Sequence, residues 1–402
     1  MKKTILTLGI AAALLASCES DDTSDIVIND NSVTNNTTNN NTGGGGEDPG
    51  DTTVNLSGVY TQDLTLDANT EYVVTGPVLM ASGTTLSIPA GLTIKVQPVG
   101  VNAYIAIQQG AQINAVGSAS APIVMTSNAS SPGSGDWGGL VICGRAPINS
   151  TADGSEDTAT SEVGGLSYGG NTPGDNSGTL QYVRIEYAGG AIDGNAELNG
   201  LSLYGVGNGT SISYIEIFEG SDDGVEFFGG TVNVSNVAVV NCEDDSIDWT
   251  EGYIGSITDV YVQHGTSHDK AFECDGYNTD FSNEGGYFSA PNVTNVTVVG
   301  TGLAGNEAIR LRAGTQGIFT NVVVTNFEEA FDLDGDTGDN PTGQGVLDDL
   351  LQVIDVAFNG VTTQVKNDTG FTFTDADFLS GVGNGTGTDV SSWGSGWTVG
   401  IN

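Results

Sequence analysis

Asn236-Val237-Ala238-Val239, followed a short turn later by Asp245-Ser246-Ile247-Asp248-Trp249-Thr250, decides the fold, because both phrases come back. The first reads polar, apolar, any residue, apolar. It recurs as Tyr182-Val183-Arg184-Ile185, Tyr214-Ile215-Glu216-Ile217, Asp259-Val260-Tyr261-Val262, Asn295-Val296-Thr297-Val298, Asn321-Val322-Val323-Val324 and Asp355-Val356-Ala357-Phe358. Successive copies start 32, 22, 23, 36, 26 and 34 residues apart. The second phrase follows each copy, as in Asn199-Gly200-Leu201-Ser202, Asp223-Gly224-Val225-Glu226, Lys270-Ala271-Phe272-Glu273, Glu307-Ala308-Ile309-Arg310, Glu329-Ala330-Phe331-Asp332 and Thr363-Gln364-Val365-Lys366. A coil of three short strands joined by turns suits the shortest spacing, and the longer ones are that coil plus a loop. No such unit buries its apolar face alone, so stacking must build the core. The pattern predicts an all-β chain: a single right-handed parallel β-helix with loop insertions and terminal caps. A β-sandwich is the alternative, but it needs no phase-locked repeat.

The amino-terminal half fits the same scheme. Gly83 to Gly91 and Gln109 to Ala115 read as alternating strands broken by glycine, and Val54 to Val78 is expected to start and cap the coil. Trp393 and Trp397 are expected to close the other end. One helix-like stretch, Val346 to Ile354, falls inside an insertion.

Composition excludes several function classes. The 402 residues carry 50 acidic against 9 basic side chains, a net charge of −41. Such a surface repels phosphate backbones and anionic leaflets, so no nucleic-acid partner is expected. The 60 glycines argue against a helical protein. At 38% apolar content the chain still has enough material for a core.

Lys2 and Lys3 precede an apolar run from Ile5 to Leu15, of signal-peptide length and too short to span a bilayer. The run ends Leu15-Ala16-Ser17-Cys18, which resembles a bacterial lipobox, and Glu19-Ser20-Asp21-Asp22 resembles the acidic surface-export signal of Bacteroidota lipoproteins. Residues 1–17 are therefore expected to be a lipoprotein signal peptide. Residues 18–53 would be a lipidated Cys18 with a disordered acidic, Asn- and Gly-rich tether, and 54–402 the β-helix domain. The expected address is the outer membrane facing the exterior, held by acyl chains (palmitate) on Cys18. Cys143, Cys242 and Cys274 remain; their odd number and lack of C-x-x-C spacing favour buried small hydrophobes.

The body is similar to the right-handed parallel β-helix surface lipoproteins of Bacteroidota. The likeness rests on Ala121 to Ser127, Gly135-Asp136-Trp137-Gly138-Gly139-Leu140, Tyr182 to Gly189 and Asp222 to Val232, and spans roughly residues 70 to 400. The resemblance implies a pectate-lyase-like solenoid and a surface location. It implies no activity.

In the second phrase, alternation sends Val225, Phe227, Ile247, Trp249, Phe272 and Cys274 inward and Glu226, Asp248 and Glu273 outward. Parallel stacking then makes a carboxylate column, continued by Arg310, Asp332 and Lys366. A second column two residues on reads Phe228, Thr250, Asp275, Arg312, Asp334 and Asp368. Arg310 is expected between Glu273 and Asp332, and Arg312 between Asp275 and Asp334, as a structural ladder. Glu226 and Asp248 have no basic neighbour in this scheme. With Asp223, Asp245, Asp269 and Glu273 they form a candidate site for a hard divalent ion, most naturally Ca²⁺; a solvated face screened by sodium is the bland alternative.

Parallel β-helices also host pectate lyases, in which calcium-bound acids work with an arginine; Arg310 and Arg312 are the candidates here. The pectin-hydrolase pattern is not followed, since Asn278-Thr279-Asp280 comes after Asp244-Asp245 and His264-Gly265 is incomplete. His264 and His268 read as turn residues. Trp137 and Tyr168, in the long acidic loop from Ser127 to Gly178, either stack on a ligand or anchor their loop. The leading expectation is a lipid-anchored surface protein binding an extracellular glycan with divalent cations, with a TonB-dependent receptor as a possible partner. A structural or adhesive surface protein is the first alternative, and a calcium-dependent polysaccharide lyase the second.

Overall fold

The polar residue that opens each first phrase is a bend. Tyr182, Tyr214, Asn236, Asp259, Asn295, Asn321 and Asp355 all have φ between 52° and 62°. That left-handed region is costly for most side chains and tolerated best by Asn and Asp. In the strand Asn233–Val240 the consequence is direct: Asn233 to Ser235 pair with Ser256 to Thr258, Val237 to Val240 pair with Val260 to Gln263, and Asn236 is skipped. Each copy thus contributes to two sheets that meet at the bend, and the second phrase builds the third.

A computed structural model describes residues 53–151, 158–193, 196–335 and 341–401. The expected signal peptide, Cys18 and most of the tether lie outside the described residues. Twenty-four strands join by parallel pairing into the right-handed parallel β-helix that the repeat predicts. It starts at Thr53–Tyr60, which pairs with Glu71–Met80. The two amino-terminal strands pair as expected, with Leu86 opposite Ile113. Antiparallel pairing is confined, among the described residues, to three two-stranded pairings, such as Ser150–Thr151 with Ser282–Asn283, and one isolated bridge between Ser118 and Ala121.

Inward side chains form a continuous core. Val225, Phe227, Ile247, Trp249, Phe272, Cys274, Ile309, Leu311, Phe331 and Leu333 are all buried. Trp249, Phe272, Phe319 and Phe331 run through it with edge-to-face or tilted contacts of 5.8–6.3 Å between ring centroids. Cys143, Cys242 and Cys274 are buried free thiols.

Three sequence expectations need correction. Residues 127–178 are not one loop, because Leu140–Cys143 is a coil strand between Ile105–Ile107 and Leu201–Tyr204. Its predecessor strand ends at Ser127 and its apolar run is short, so the glycine-rich flanks masked it. The helix is Thr342–Leu347, and Leu351–Asn359 is already strand. Trp393 and Trp397 do not close the end of the coil. Residues 381–401 turn back and run along its side as a strap. Thr386 N–H donates to Asn321 Oδ1 at 2.7 Å, Thr388 Oγ1 donates to Asp259 Oδ1 at 3.1 Å, and Trp397 meets Tyr182 edge-on at 5.5 Å. The left-handed bends leave a row of polar groups on the outside, and the strap bonds three of them, Asp259, Asn321 and Asp355.

Candidate functional site

Parallel register puts the carboxylates where alternation places them. Glu226 stands opposite Asp248, Asp248 opposite Glu273, Glu273 opposite Arg310, Arg310 opposite Asp332 and Asp332 opposite Lys366. Of the second column, register pairs Phe228 with Thr250 and Asp275 with Arg312. The preceding turns stack too: Asp245 N–H donates to Asp223 Oδ1 at 3.0 Å, and Lys270 N–H to Asp245 Oδ1 at 2.6 Å.

These groups do not form an open face. Outward-pointing Tyr204 and Phe228 stack at 4.0 Å, Tyr168 packs on Tyr204 at 4.8 Å, and Val163, Leu166, Leu198 and Ile148 complete a second apolar cluster outside the coil. Loop residues thereby cover the upper part of the column. Asp223, Asp245 and Glu273 are buried, and Glu226 and Asp248 are half-buried. Burial, reinforced by mutual repulsion, pushes the carboxyls of Asp223, Glu226, Asp245 and Asp248 well above the usual carboxylate range.

Ligand oxygens of Asp223, Glu226 and Asp248 lie within 4.8 Å of one another, as do those of Asp245, Asp248 and Glu273 and of Asp223, Asp244 and Asp245. Asp248 belongs to two of these groups. Its Oδ1 is sealed from solvent and has no hydrogen-bond partner. Glu226 Oε2 accepts from Asn199 Nδ2 at 2.7 Å. An all-oxygen set of this kind suits a hard cation.

The lower boundary is closed by two cations. Lys270 Nζ pairs with Asp269 and, at 3.0 Å, with Glu273; Arg312 pairs with Glu273 and, at 2.5 Å, with Asp275. Asp269, expected among the ion ligands, pairs with Lys270 from a half-exposed position and belongs to none of the acidic clusters. Arg310 lies between Glu273 and Asp332 in register, yet it bonds Glu307 at 3.0 Å and reaches Asp332 at 3.9 Å. Glu273 is already held by Lys270 and Arg312. In the repeat Lys270 is only the polar lead of its phrase, so periodicity does not reveal this pairing.

Trp137 and Tyr168 present no open ring. Trp137 is fully buried and donates Nε1–H to the Glu186 carbonyl at 2.8 Å; Tyr168 is buried and donates its hydroxyl to Glu251 at 2.9 Å. Both anchor loops, so the stacking role expected of them is not available in this geometry. His264 is buried rather than a surface turn residue. It stacks on His268 at 4.2 Å, and burial pushes its pKa down to about 3.

Accessible aromatic rings occur elsewhere. Tyr277, Phe281 and Phe288, with Ser282, Asn283, Gly286 and Pro341, line a cavity of about 650 Å³. The loop that carries them starts immediately after Asp275. Its aromatics follow no coil period, so the repeat does not single them out.

The sequence model of a known family, described as a pectate-lyase-like β-helix domain, matches residues 58–398. No curated protein and no solved structure matches the chain.

Proposed function

We propose a carbohydrate-directed surface role, dependent on divalent cations, for this chain, which belongs to the pectate-lyase-like β-helix domain family. The carrying observation is the covered stack of Asp223, Glu226, Asp245 and Asp248. Asp248 belongs to two overlapping triads, one with Asp223 and Glu226 and one with Asp245 and Glu273, in a half-sealed place that leaves one of its own oxygens unpartnered. Buried like charges are costly unless protonated or bridged. A Ca²⁺ ion takes six to eight oxygens and would bridge them, with Glu273 at the edge of the set. The lipobox at Cys18 supports attachment to the outer membrane, and the tether supports display away from it.

Calorimetric titration of the chain lacking residues 1–17 with Ca²⁺, beside a melting curve, tests the cation. Saturable binding and a raised Tm are expected, both lost in the Glu226→Gln/Asp248→Asn double variant. A Tm that follows ionic strength alone, with no saturable heat, overturns it. Saturable retention on polysaccharide without product is expected for the binding role. Release of unsaturated sugars absorbing in the near ultraviolet would move the reading to a lyase. Arg310 and Arg312 give a lyase little support, because carboxylates already occupy both.

A further inference from the structure

We propose that the cavity between Tyr277, Phe281 and Phe288 is a subsite for a neutral saccharide. The inference rests on the carbohydrate-directed reading above and assigns it a contact surface.

Saccharides are held by flat apolar rings that stay accessible and are fixed before binding, with polar groups at their edges. Many large aromatic side chains of this molecule do not qualify, among them Trp137, Trp249, Trp397, Tyr204, Tyr253, Phe227 and Phe272, which are fully buried. Tyr277, Phe281 and Phe288 differ: each is half-buried and faces the same cavity. The rings of Tyr277 and Phe288 lie 6.3 Å apart at 54°, so they form two walls of a notch instead of stacking on each other.

The walls are held in place. Asn149 Nδ2 donates to the carbonyls of Gly276 at 2.8 Å and Tyr287 at 2.6 Å, at the two ends of the loop. Asn278 N–H donates to Ser150 Oγ at 3.0 Å, and Ser282 and Asn283 pair antiparallel with Thr151 and Ser150. Asn283 spans the loop internally, donating to the Tyr287 carbonyl at 3.1 Å and accepting Gly286 N–H at 2.9 Å. Phe288 lies close against Gly314, where a Cβ would come within 2.7 Å of its ring. Two loops from distant coils are thus tied together around the notch, which reduces the entropy lost when a ligand binds.

Size and charge narrow the occupant. About 650 Å³ falls inside the usual range for small-molecule sites, roughly 300–1,000 Å³. Among the described residues no Lys, Arg or His lines the cavity, while Asp280 and Glu284 are exposed on the same loop. A uronate or sulfated sugar would meet only negative charge there, on a chain of net charge −41. A neutral hexopyranose meets ring faces and the exposed Ser282.

The test uses the chain lacking residues 1–17 with Ca²⁺ present and oligosaccharides of β-glucan, α-mannan and galactan, with polygalacturonate and heparin as acidic probes. Binding is read by calorimetry and affinity electrophoresis. We expect at least one neutral oligosaccharide to bind, with affinity falling at least tenfold in Phe281→Ala and in the cavity-filling Ser282→Trp, and Tm unchanged in one of the two or both. Neutral binding that survives both substitutions overturns the subsite and leaves the carbohydrate role standing. Binding of the acidic probes alone overturns the neutral assignment. If none of the five probes binds, the subsite and the carbohydrate role fall together.

Discussion

Both carboxylate oxygens of the fully buried Glu216 accept the backbone N–H of Val399, at 2.9 and 3.1 Å, across 183 residues of chain. Arg184 contributes at 3.9 Å, and Gln263 Nε2 holds the next carbonyl but one, that of Gly400, at 2.9 Å. This contact fastens the far end of the strap. Removing residues 381–402 should lower Tm and expose Tyr182 and Tyr214, whose rings stack at 4.3 Å beneath Trp397. Glu216→Ala should cost about 1–3 kcal/mol, the usual penalty for stranding a buried donor. Urea melts and limited proteolysis at the carboxy terminus check both.

Glu216 also sets a pH dependence. Burial raises its pKa to about 8, against the opposing pull of the Val399 amide and Arg184. Asp222 is raised to about 7, again chiefly by burial. A folded state that binds these protons more tightly than the unfolded chain is favoured at low pH, and that advantage disappears as pH rises from the ordinary carboxylate range to the folded pKa. Without divalent cations, Tm should therefore rise on acidification from pH 8 to pH 5. Saturating Ca²⁺ should shrink the component of this change due to the stack and leave the Glu216 component. Melting curves at both pH values with chelator or Ca²⁺ decide it.

Opposite outcomes are expected at the two ends of the carboxylate column. Asp248→Asn removes one buried charge from a repelling group, so the cation-free protein should gain stability and lose its Ca²⁺-induced shift. Arg312→Ala strips the counter-charge from Glu273 and Asp275 and should cost roughly 2–4 kcal/mol. That is somewhat below the ~3–5 kcal/mol for a broken buried pair, because the guanidinium is partly solvated. Denaturant titrations of the two variants should move in opposite directions when chelator is present.

The left-handed bends predict which substitutions the repeat tolerates. Asn236 sits at φ 57°. Asn236→Gly should change stability by a few tenths of a kcal/mol, whereas Asn236→Val should cost about 1–3 kcal/mol, because a β-branched residue is strained there. Urea melts of the pair test it.

The thiols should be silent in the native state. Burial pushes the pKa of Cys143 and Cys242 up to about 12, and Cys274 is raised well above its usual value as well. A chromogenic disulfide reagent should therefore label none of the three until the coil unfolds, and labelling should then follow the melting curve.

Local chemistry made the coil readable from sequence alone. A strand repeats every two residues, and a left-handed bend selects Asn, Asp or another polar residue; both leave their mark in phrases that recur along the chain. Stacking then follows from the repeat, so the placement of Glu226 above Asp248 and of Asp248 above Glu273 is legible in the sequence. What lies over those side chains has no such local mark. Tyr168 covers the column because a loop from a different coil folds back across it, and Lys270 turns toward Glu273 because a backbone turn aims it there. The strap that takes Trp397 away from the end of the coil, and the loop that fixes Tyr277 and Phe288 around a cavity, depend likewise on contacts between residues far apart in the chain. Periodicity determined which way each strand residue points. Only tertiary packing decided which outward residues meet water and which are sealed in.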